Sequence, residues 1–377
     1  MDQNPLQLAF VCNPKMGGSG ILATELAKGL ARRGHQVHLV AESKPFAWSD
    51  ELHSLHFHKV TVNDSPVFES SPHVFSLAGT LAQLLESYHI DIIHAHYAVP
   101  YGASALLAMQ CSSIKAPLIT TLHGTDISDL SHDPALYQII KNVLFNSAQV
   151  TCVSADLVRR TQAIYHLLRM PVMIPNFVTA PIDLDISKAE LRLELGLAPE
   201  RKYLVHISNF RPLKRIQDII KILTVLDKGS DIHLLLVGDG TEMTNCKELV
   251  SDLNLGDRVT FAGRSKIAWK WLAAADINLQ MSEYESFGLT LIEAMASGTP
   301  SIGTQAGGIP QVLGDTGATV KVGDYRAAAA LITQWLAQPE KLQQRRAACR
   351  QRAKDCFSLE IVANQYEQLY YCHINRS

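Results

Sequence analysis

The sequence predicts an α/β chain built from two Rossmann-like domains that face each other across a cleft. Three observations carry this. Short β-type runs alternate with amphipathic stretches of helical period from end to end, a glycine-rich turn follows the first of these runs, and the alternation restarts near Lys202 beyond a proline-bounded linker. A length of 377 residues accommodates two domains, and 47% hydrophobic against 19% charged residues leaves ample material for buried cores.

The first unit reads as a strand over Leu8–Cys12, a glycine turn, a helix over about Ser19–Arg33 stopped by Gly34, and a strand over Gln36–Ala41. A strand, helix and strand in this order form the right-handed unit of a parallel sheet. Further strands are predicted at Asp91–His96, Pro117–Leu122, Gln149–Val153 and Pro171–Ile174, with helices at about Phe75–Glu86, Pro134–Phe145 and Ala155–His166. The second series has strands at Tyr203–Ile207, Ile232–Val237, Arg258–Phe261, Ile277–Gln280 and Pro300–Gly303. Its helices fall at about Arg215–Leu226, Glu242–Leu253 and Leu289–Ala296. Pro175–Pro181 has linker character, which gives domains of 1–176 and 177–357, with a last helix of about 358–377 packing back on the first. The basic run Arg345–Arg352 reads as a solvated helix face.

A formal charge of −2 gives no global reason to expect nucleic acid or an acidic membrane as partner. No apolar run is long enough to span a bilayer, and the N-terminus lacks a basic segment followed by an apolar stretch. Seven cysteines form no CxxC pair and several sit inside apolar runs, as reduced thiols of a cytoplasmic protein do. Oligomeric state stays open, a homo-oligomer included.

Five segments carry chemistry. Met16-Gly17-Gly18-Ser19-Gly20 follows the first strand, where glycines permit close approach and a helix N-terminus offers free N–H groups to an anion. A plain tight turn would use the same residues. His94 and His96 end a strand and share one face; they line the cleft, pack in the core, or begin a metal pair that lacks a nearby third ligand. His123, before Gly124 at another strand end, is placed either to face a reacting centre or to hold the loop. In Ser208–Arg215, the cations Arg211, Lys214 and Arg215 sit on a loop above the second sheet and suit a diphosphate, a solvated basic loop being the other reading. Finally, Glu285 and Glu293 flank Gly288, which opens a helix. The N–H groups of Gly288, Leu289 and Thr290 can meet phosphate oxygens, and Glu293, one turn in, can accept from ribose hydroxyls.

This Glu285–Glu293 stretch resembles the donor-binding signature of the family 4 retaining glycosyltransferases of GT-B fold. The resemblance extends along essentially the whole chain through Gly17–Gly20, His123-Gly124-Thr125-Asp126, the Arg211/Lys214 loop, Val237–Gly240 and Ala306–Pro310. Within the family, His94–Ala98, Thr120–Asp126 and Ser208–Arg211 are most similar to the branch that glycosylates L-malate for bacillithiol biosynthesis. The resemblance implies transfer of N-acetylglucosamine from UDP-N-acetylglucosamine to the malate hydroxyl with the α configuration kept. In that reading Arg211 and Lys214 stabilise the UDP leaving group, Glu293 binds ribose, Glu285 contacts the donor sugar, and His123 bonds near the reacting sugar. Gly18 also contacts the donor, while Gly17, Gly18, Ser19, Tyr97 and Thr121 line the acceptor site. No metal is required; the Asp183-Leu184-Asp185 triplet reads as surface, away from any strand end. One departure stands out: many members carry the arginine after a glycine five residues before the lysine, where this chain has Asn209, and Arg211 comes three before Lys214.

A family member with another acceptor remains open, as does a GT-B UDP-N-acetylglucosamine epimerase, which would release UDP without any acceptor. A nicotinamide dehydrogenase is disfavoured, because the glycine turn is not GxGxxG and no acid ends the second strand.

Overall fold

A computed structural model describes residues 4–14, 18–45, 48–62, 67, 71–180, 186–227 and 229–374. The chain divides into two compact units, Met1–Asn176 with Leu359–Ser377, and Phe177–Ser358.

The first unit holds seven strands: β1 (Gln7–Val11), β2 (Gln36–Ala41), β3 (Leu55–Lys59), β4 (Ile92–His96), β5 (Leu118–Leu122), β6 (Gln149–Cys152) and β7 (Val172–Met173). They pair in parallel in the order β3-β2-β1-β4-β5-β6-β7. The second unit holds β8 (Lys202–Asn209), β9 (Ile232–Asp239), β10 (Val259–Gly263), β11 (Ile277–Gln280), β12 (Ser301–Thr304) and β13 (Ala318–Val320). These too are all parallel, in the order β10-β9-β8-β11-β12-β13. Strand order therefore reverses beside β1 in one sheet and beside β8 in the other, the topological switch point at which open parallel sheets bind ligands.

Sequence dictates this arrangement locally. Central strands such as Leu8–Val11 and Leu234–Val237 are fully enclosed apolar runs, as a sheet covered on both faces demands. The helix Gly18–Arg32 buries Leu22, Ala23, Leu26, Ala27 and Leu30 at helical spacing. Asp133 and Ser154 cap the helices Pro134–Asn146 and Ala155–Tyr165 by accepting first-turn N–H groups. The final helix, Leu359–Ile374, belongs to the first unit, where Leu359 fills the space beside Gly29 and Glu367 meets His35 at 2.8 Å. Among the described residues no helix is long and apolar enough to cross a membrane. All seven cysteines are free thiols.

Several segments depart from the sequence reading, among them the strand Ala318–Val320 and the helices Lys188–Glu194, Ala268–Ala274 and Ile309–Leu313, which the pattern left unassigned. Leu55–Lys59 is an edge strand, and Ala103–Cys111 is a helix, neither of which the pattern announced. The basic run is not a solvated face. Arg346 donates to Gly298 O at 3.2 Å, Arg352 to Val312 O at 2.9 Å, and Arg345 lies over the Trp335 ring. These side chains stretch along the protein surface and tie the helix Pro339–Phe357 to the second unit's sheet and loops.

Asp276, immediately before β11 and only 6% exposed, is the centre of that tie. Its carboxylate takes Lys188 at 2.6 Å, Arg192 at 2.8 Å and Arg346 at 3.2 Å, and accepts the Tyr203 N–H at 2.8 Å. These partners hold its pKa below the usual carboxylate value against burial, so their stabilisation is present above the unfolded-state pKa and is lost as pH falls through the folded one. Asp276→Ala is expected to destabilise the protein by about 3–5 kcal/mol, because it leaves buried cations uncompensated. Urea unfolding at neutral pH tests this; a midpoint equal to wild type would remove Asp276 from the framework.

Candidate active site

In the first unit, functional side chains gather at the carboxyl ends of β1, β4 and β5. Gly18, exposed, opens the helix after β1, and Ser19 follows half-buried. Gly17 and Met16 lie outside the described residues, as do Asp183 and Asp185. Tyr97 follows β4 with φ 81° and ψ 142°, a strained backbone for a residue with a side chain. It is pinned there because its N–H donates to Thr121 O at 2.9 Å and its own carbonyl accepts from Gly102 at 3.1 Å. The result aims the Tyr97 hydroxyl at Ser19 Oγ, 3.0 Å away, and sets its ring 5.0 Å from His123.

Three histidines run inward from this surface. His123, partly exposed, contacts His96 through Nε2 to Nδ1 at 3.0 Å, and the His96 ring lies 4.3 Å from that of His94. His94 is bonded on both nitrogens, to Thr121 Oγ1 at 2.7 Å and to the Tyr370 hydroxyl at 2.7 Å. Burial pushes His94 down to about 3 and His123 to about 4, so both rings are neutral near pH 7. His96 is held well below its usual value by burial and by its two neighbours, and its Nε2 has no partner among the described residues. One ring must donate across the His96–His123 contact and the other accept, so the two tautomers are linked. Among the described residues no three His, Cys, Asp or Glu side chains gather to hold a metal ion.

Thr121, an acceptor contact by the resemblance, is enclosed in the first unit. It is 1% exposed, and its hydroxyl is taken by His94, by Thr151 at 2.6 Å and by Tyr366 at 3.2 Å. It orients His94 from behind. Asp126, fully buried, accepts the Ala98 N–H at 3.0 Å, while its Oδ2 has no partner among the described residues. Burial pushes its carboxyl up to about 7 against the pull of surrounding backbone N–H groups. The Tyr366 and Tyr370 contacts come from the last helix, which no local signal around Thr121 or His94 could disclose.

In the second unit the loops after β8, β9, β11 and β12 converge by close backbone approach. A Cβ at Gly238 would stand 1.8 Å from Ser208 O, and one at Gly307 would stand 2.0 Å from Glu285 O. Both glycines also have positive φ, at 132° and 57°, so no other residue fits these crossings. Lys214, at the end of a short 3-10 turn, ion-pairs with Glu285. Glu285 Oε1 also accepts from Gln280 Nε2 at 2.7 Å and Ser282 Oγ at 3.0 Å. Arg211 is exposed, whereas Lys214 is paired with Glu285 and Arg215 with Asp218 at 2.6 Å. His206, missed by the sequence reading, bridges Leu279 O and Ser208 Oγ, both at 2.8 Å, and so locks the β8 end to β11.

Gly288, at φ 96°, starts the helix Leu289–Ala296, whose first turn leaves the Leu289 and Thr290 N–H groups without intrahelical acceptors. Glu293 lies on the next turn. Burial alone pushes its carboxyl up to about 7, and no partner meets it among the described residues. A paired carboxylate (Glu285) and an unpaired one (Glu293) therefore flank a helix N-terminus beside two cations, a set of groups suited to a sugar diphosphate nucleotide.

Residues 16–180 match the Glycosyltransferase Family 4 family, and residues 187–355 match Glycosyl transferases group 1. The chain belongs to the family 4 glycosyltransferases. N-acetyl-alpha-D-glucosaminyl L-malate synthase of Bacillus anthracis is 38% identical to it over 368 residues, 97% of each chain. Solved structures share the fold: Anabaena HepE in complex with UDP superposes with a TM-score of 0.79 at 20% identity, over 97% of this chain and 100% of that one. A glycosyltransferase from Rickettsia africae gives a TM-score of 0.83 at 19% identity, over the whole of both chains. The architecture is GT-B.

Glu293 binds a proton more tightly folded than unfolded, so its contribution to stability declines as pH rises from about 4.5 to about 7. Glu293→Gln is expected to stabilise the protein by about 2–3 kcal/mol at pH 8, the gain fading toward pH 4.5. Urea unfolding at several pH values checks this, and a variant no more stable than wild type at pH 8 would contradict it.

Proposed function

We propose that the chain transfers N-acetylglucosamine from UDP-N-acetylglucosamine to the hydroxyl of L-malate with retention of configuration, the first step of bacillithiol biosynthesis. The observation that carries this reading is the 38% identity, over 97% of both chains, to the N-acetyl-alpha-D-glucosaminyl L-malate synthase of Bacillus anthracis. Its free thiols throughout suit a reducing cytoplasm.

Each side chain has a role in this reading. Glu293 accepts from the ribose hydroxyls, and its unpaired carboxylate supports that assignment. The N–H groups at Gly288, Leu289 and Thr290 meet the diphosphate, with Gly18 contributing to the donor. Arg211 and Lys214 balance the charge that grows on the β-phosphate oxygen as the anomeric carbon–oxygen bond breaks. Such fixed cations act most strongly where water is sparse. They fill the place a divalent metal would take, and the proposed enzyme needs none. Glu285, which holds Lys214 by an ion pair, contacts the donor sugar.

The malate hydroxyl attacks the anomeric carbon from the face that the diphosphate leaves, and its proton passes to the departing phosphate oxygen. His123, kept neutral by burial, bonds beside the reacting sugar without adding a second positive charge to the oxocarbenium-like centre. Ser19 and Tyr97, joined at 3.0 Å, line the acceptor site with Gly18 at the helix N-terminus.

Malate-dependent release of UDP from UDP-N-acetylglucosamine, undiminished in excess EDTA, is the expected behaviour. Equal release without malate would favour an epimerase or hydrolase, and loss in EDTA with rescue by Mg²⁺ would overturn metal independence. Lys214→Ala is expected to lower kcat by about 10²–10³ while the protein stays folded in urea titration. Unchanged kcat would take Lys214 out of the reaction.

A further inference from the structure

The second unit contains a cavity of about 630 Å³ at the amino-terminal end of its sheet, opposite the end that carries Lys214 and Glu285. Lys202, the first residue of β8, and Asp276, just before β11, mark that end. Lys188, Arg192, Arg346 and Arg350 complete its charged lining. Five cations thus share the walls with one carboxylate.

That carboxylate is already committed. Asp276 divides one negative charge among Lys188, Arg192 and Arg346 and also accepts the Tyr203 N–H. Backbone carbonyls take some of the remaining donors, with Arg192 reaching Ala274 O at 2.9 Å and Arg346 reaching Gly298 O at 3.2 Å. Carbonyls satisfy hydrogen bonds without cancelling net charge. Lys202 and Arg350 have no carboxylate partner among the described residues. The side chains of Arg192 and Arg346 are 7% and 12% exposed, so water screens this surplus poorly.

We propose that this cavity is a binding site for a small anion bearing phosphate groups, held by Lys188, Arg192, Lys202, Arg346 and Arg350. Arg350 can grip phosphate oxygens bidentately, Lys188 and Lys202 add point charges, Arg192 and Arg346 contribute their charge from the wall while bonded to carbonyls and Asp276, and the volume lies in the range of sites for small ligands. Lys188 registers the surplus, since burial and the neighbouring Arg346 and Arg192 push it down to about 7 despite Asp276. An anion in the cavity supplies the charge that this cluster lacks. The ligand class is multiply charged, because a monoanion would leave most of the excess uncompensated. The site stands apart from the donor-binding groups and does not depend on which acceptor the enzyme uses.

The test is calorimetric titration of inorganic diphosphate into the full chain, saturated with UDP so that the nucleotide site is closed to the probe, with EDTA present. The comparison is Lys202→Glu with Arg350→Glu, two residues outside the Asp276 ion pairs. The expected result is one saturable site whose affinity falls at least about tenfold in the variant, while UDP affinity and urea midpoint hold. Should the double variant fail to fold, Lys202→Glu alone, at the exposed start of β8, is expected to weaken binding in the same direction. No diphosphate binding by UDP-saturated wild type, or equal binding by wild type and variant, would overturn the site.

Discussion

The reversal of strand order beside β1 and again beside β8 is the constraint from which the functional surface follows. Right-handed crossovers leave these neighbouring strands toward opposite faces, so their carboxyl ends are not roofed by their own connections. Ser19, Tyr97 and His123 stand at that end of the first sheet, and Arg211, Lys214, Glu285 and Glu293 stand at that end of the second. A parallel sheet concentrates loops there, and glycines at 238 and 307 let those loops cross almost in backbone contact. Without that approach the ion pair of Lys214 with Glu285, which joins the loops after β8 and β11, would not form.

Within this frame, burial decides which groups are charged. The histidines at 94 and 123 are kept neutral by enclosure, and His94 is held in place by bonds on both nitrogens. Glu285 is exposed to the same environment yet is satisfied three times over, whereas Glu293 is enclosed with nothing to meet it. A buried carboxylate without partners works against folding. In the proposed function that cost is offset when ribose hydroxyls meet the carboxylate. Strain at Tyr97 belongs to the same pattern, since the sheet and the following turn hold a backbone that a free chain would avoid.

Most strands were legible because enclosed apolar runs and glycine punctuation are local signals. Gln36–Ala41, Ile277–Gln280 and Leu289–Ala296 coincide with the sequence reading to the residue. Leu55–Lys59 escaped because His56, His58 and Lys59 make an edge strand polar, and Ala103–Cys111 escaped because its small apolar residues show no periodic face. At the site, the residue types and their strand ends were readable, but their layering was not. Thr121 looked like an acceptor contact on a strand end, and only Tyr366, 245 residues away, shows that its hydroxyl is enclosed. Arg346 and Arg352 misled for the same reason, since their carbonyl partners lie at Gly298 and at Gln311 and Val312.

The central claim is that two neutral or cationic surfaces cooperate in moving one sugar, with its configuration kept, onto a hydroxy acid. Proton NMR of the product formed from UDP-N-acetylglucosamine and L-malate tests it most directly. The account requires a glucosaminyl malate whose anomeric coupling is that of an α linkage. A β-linked product would contradict retention, and free N-acetylglucosamine with malate untouched would contradict the transfer itself.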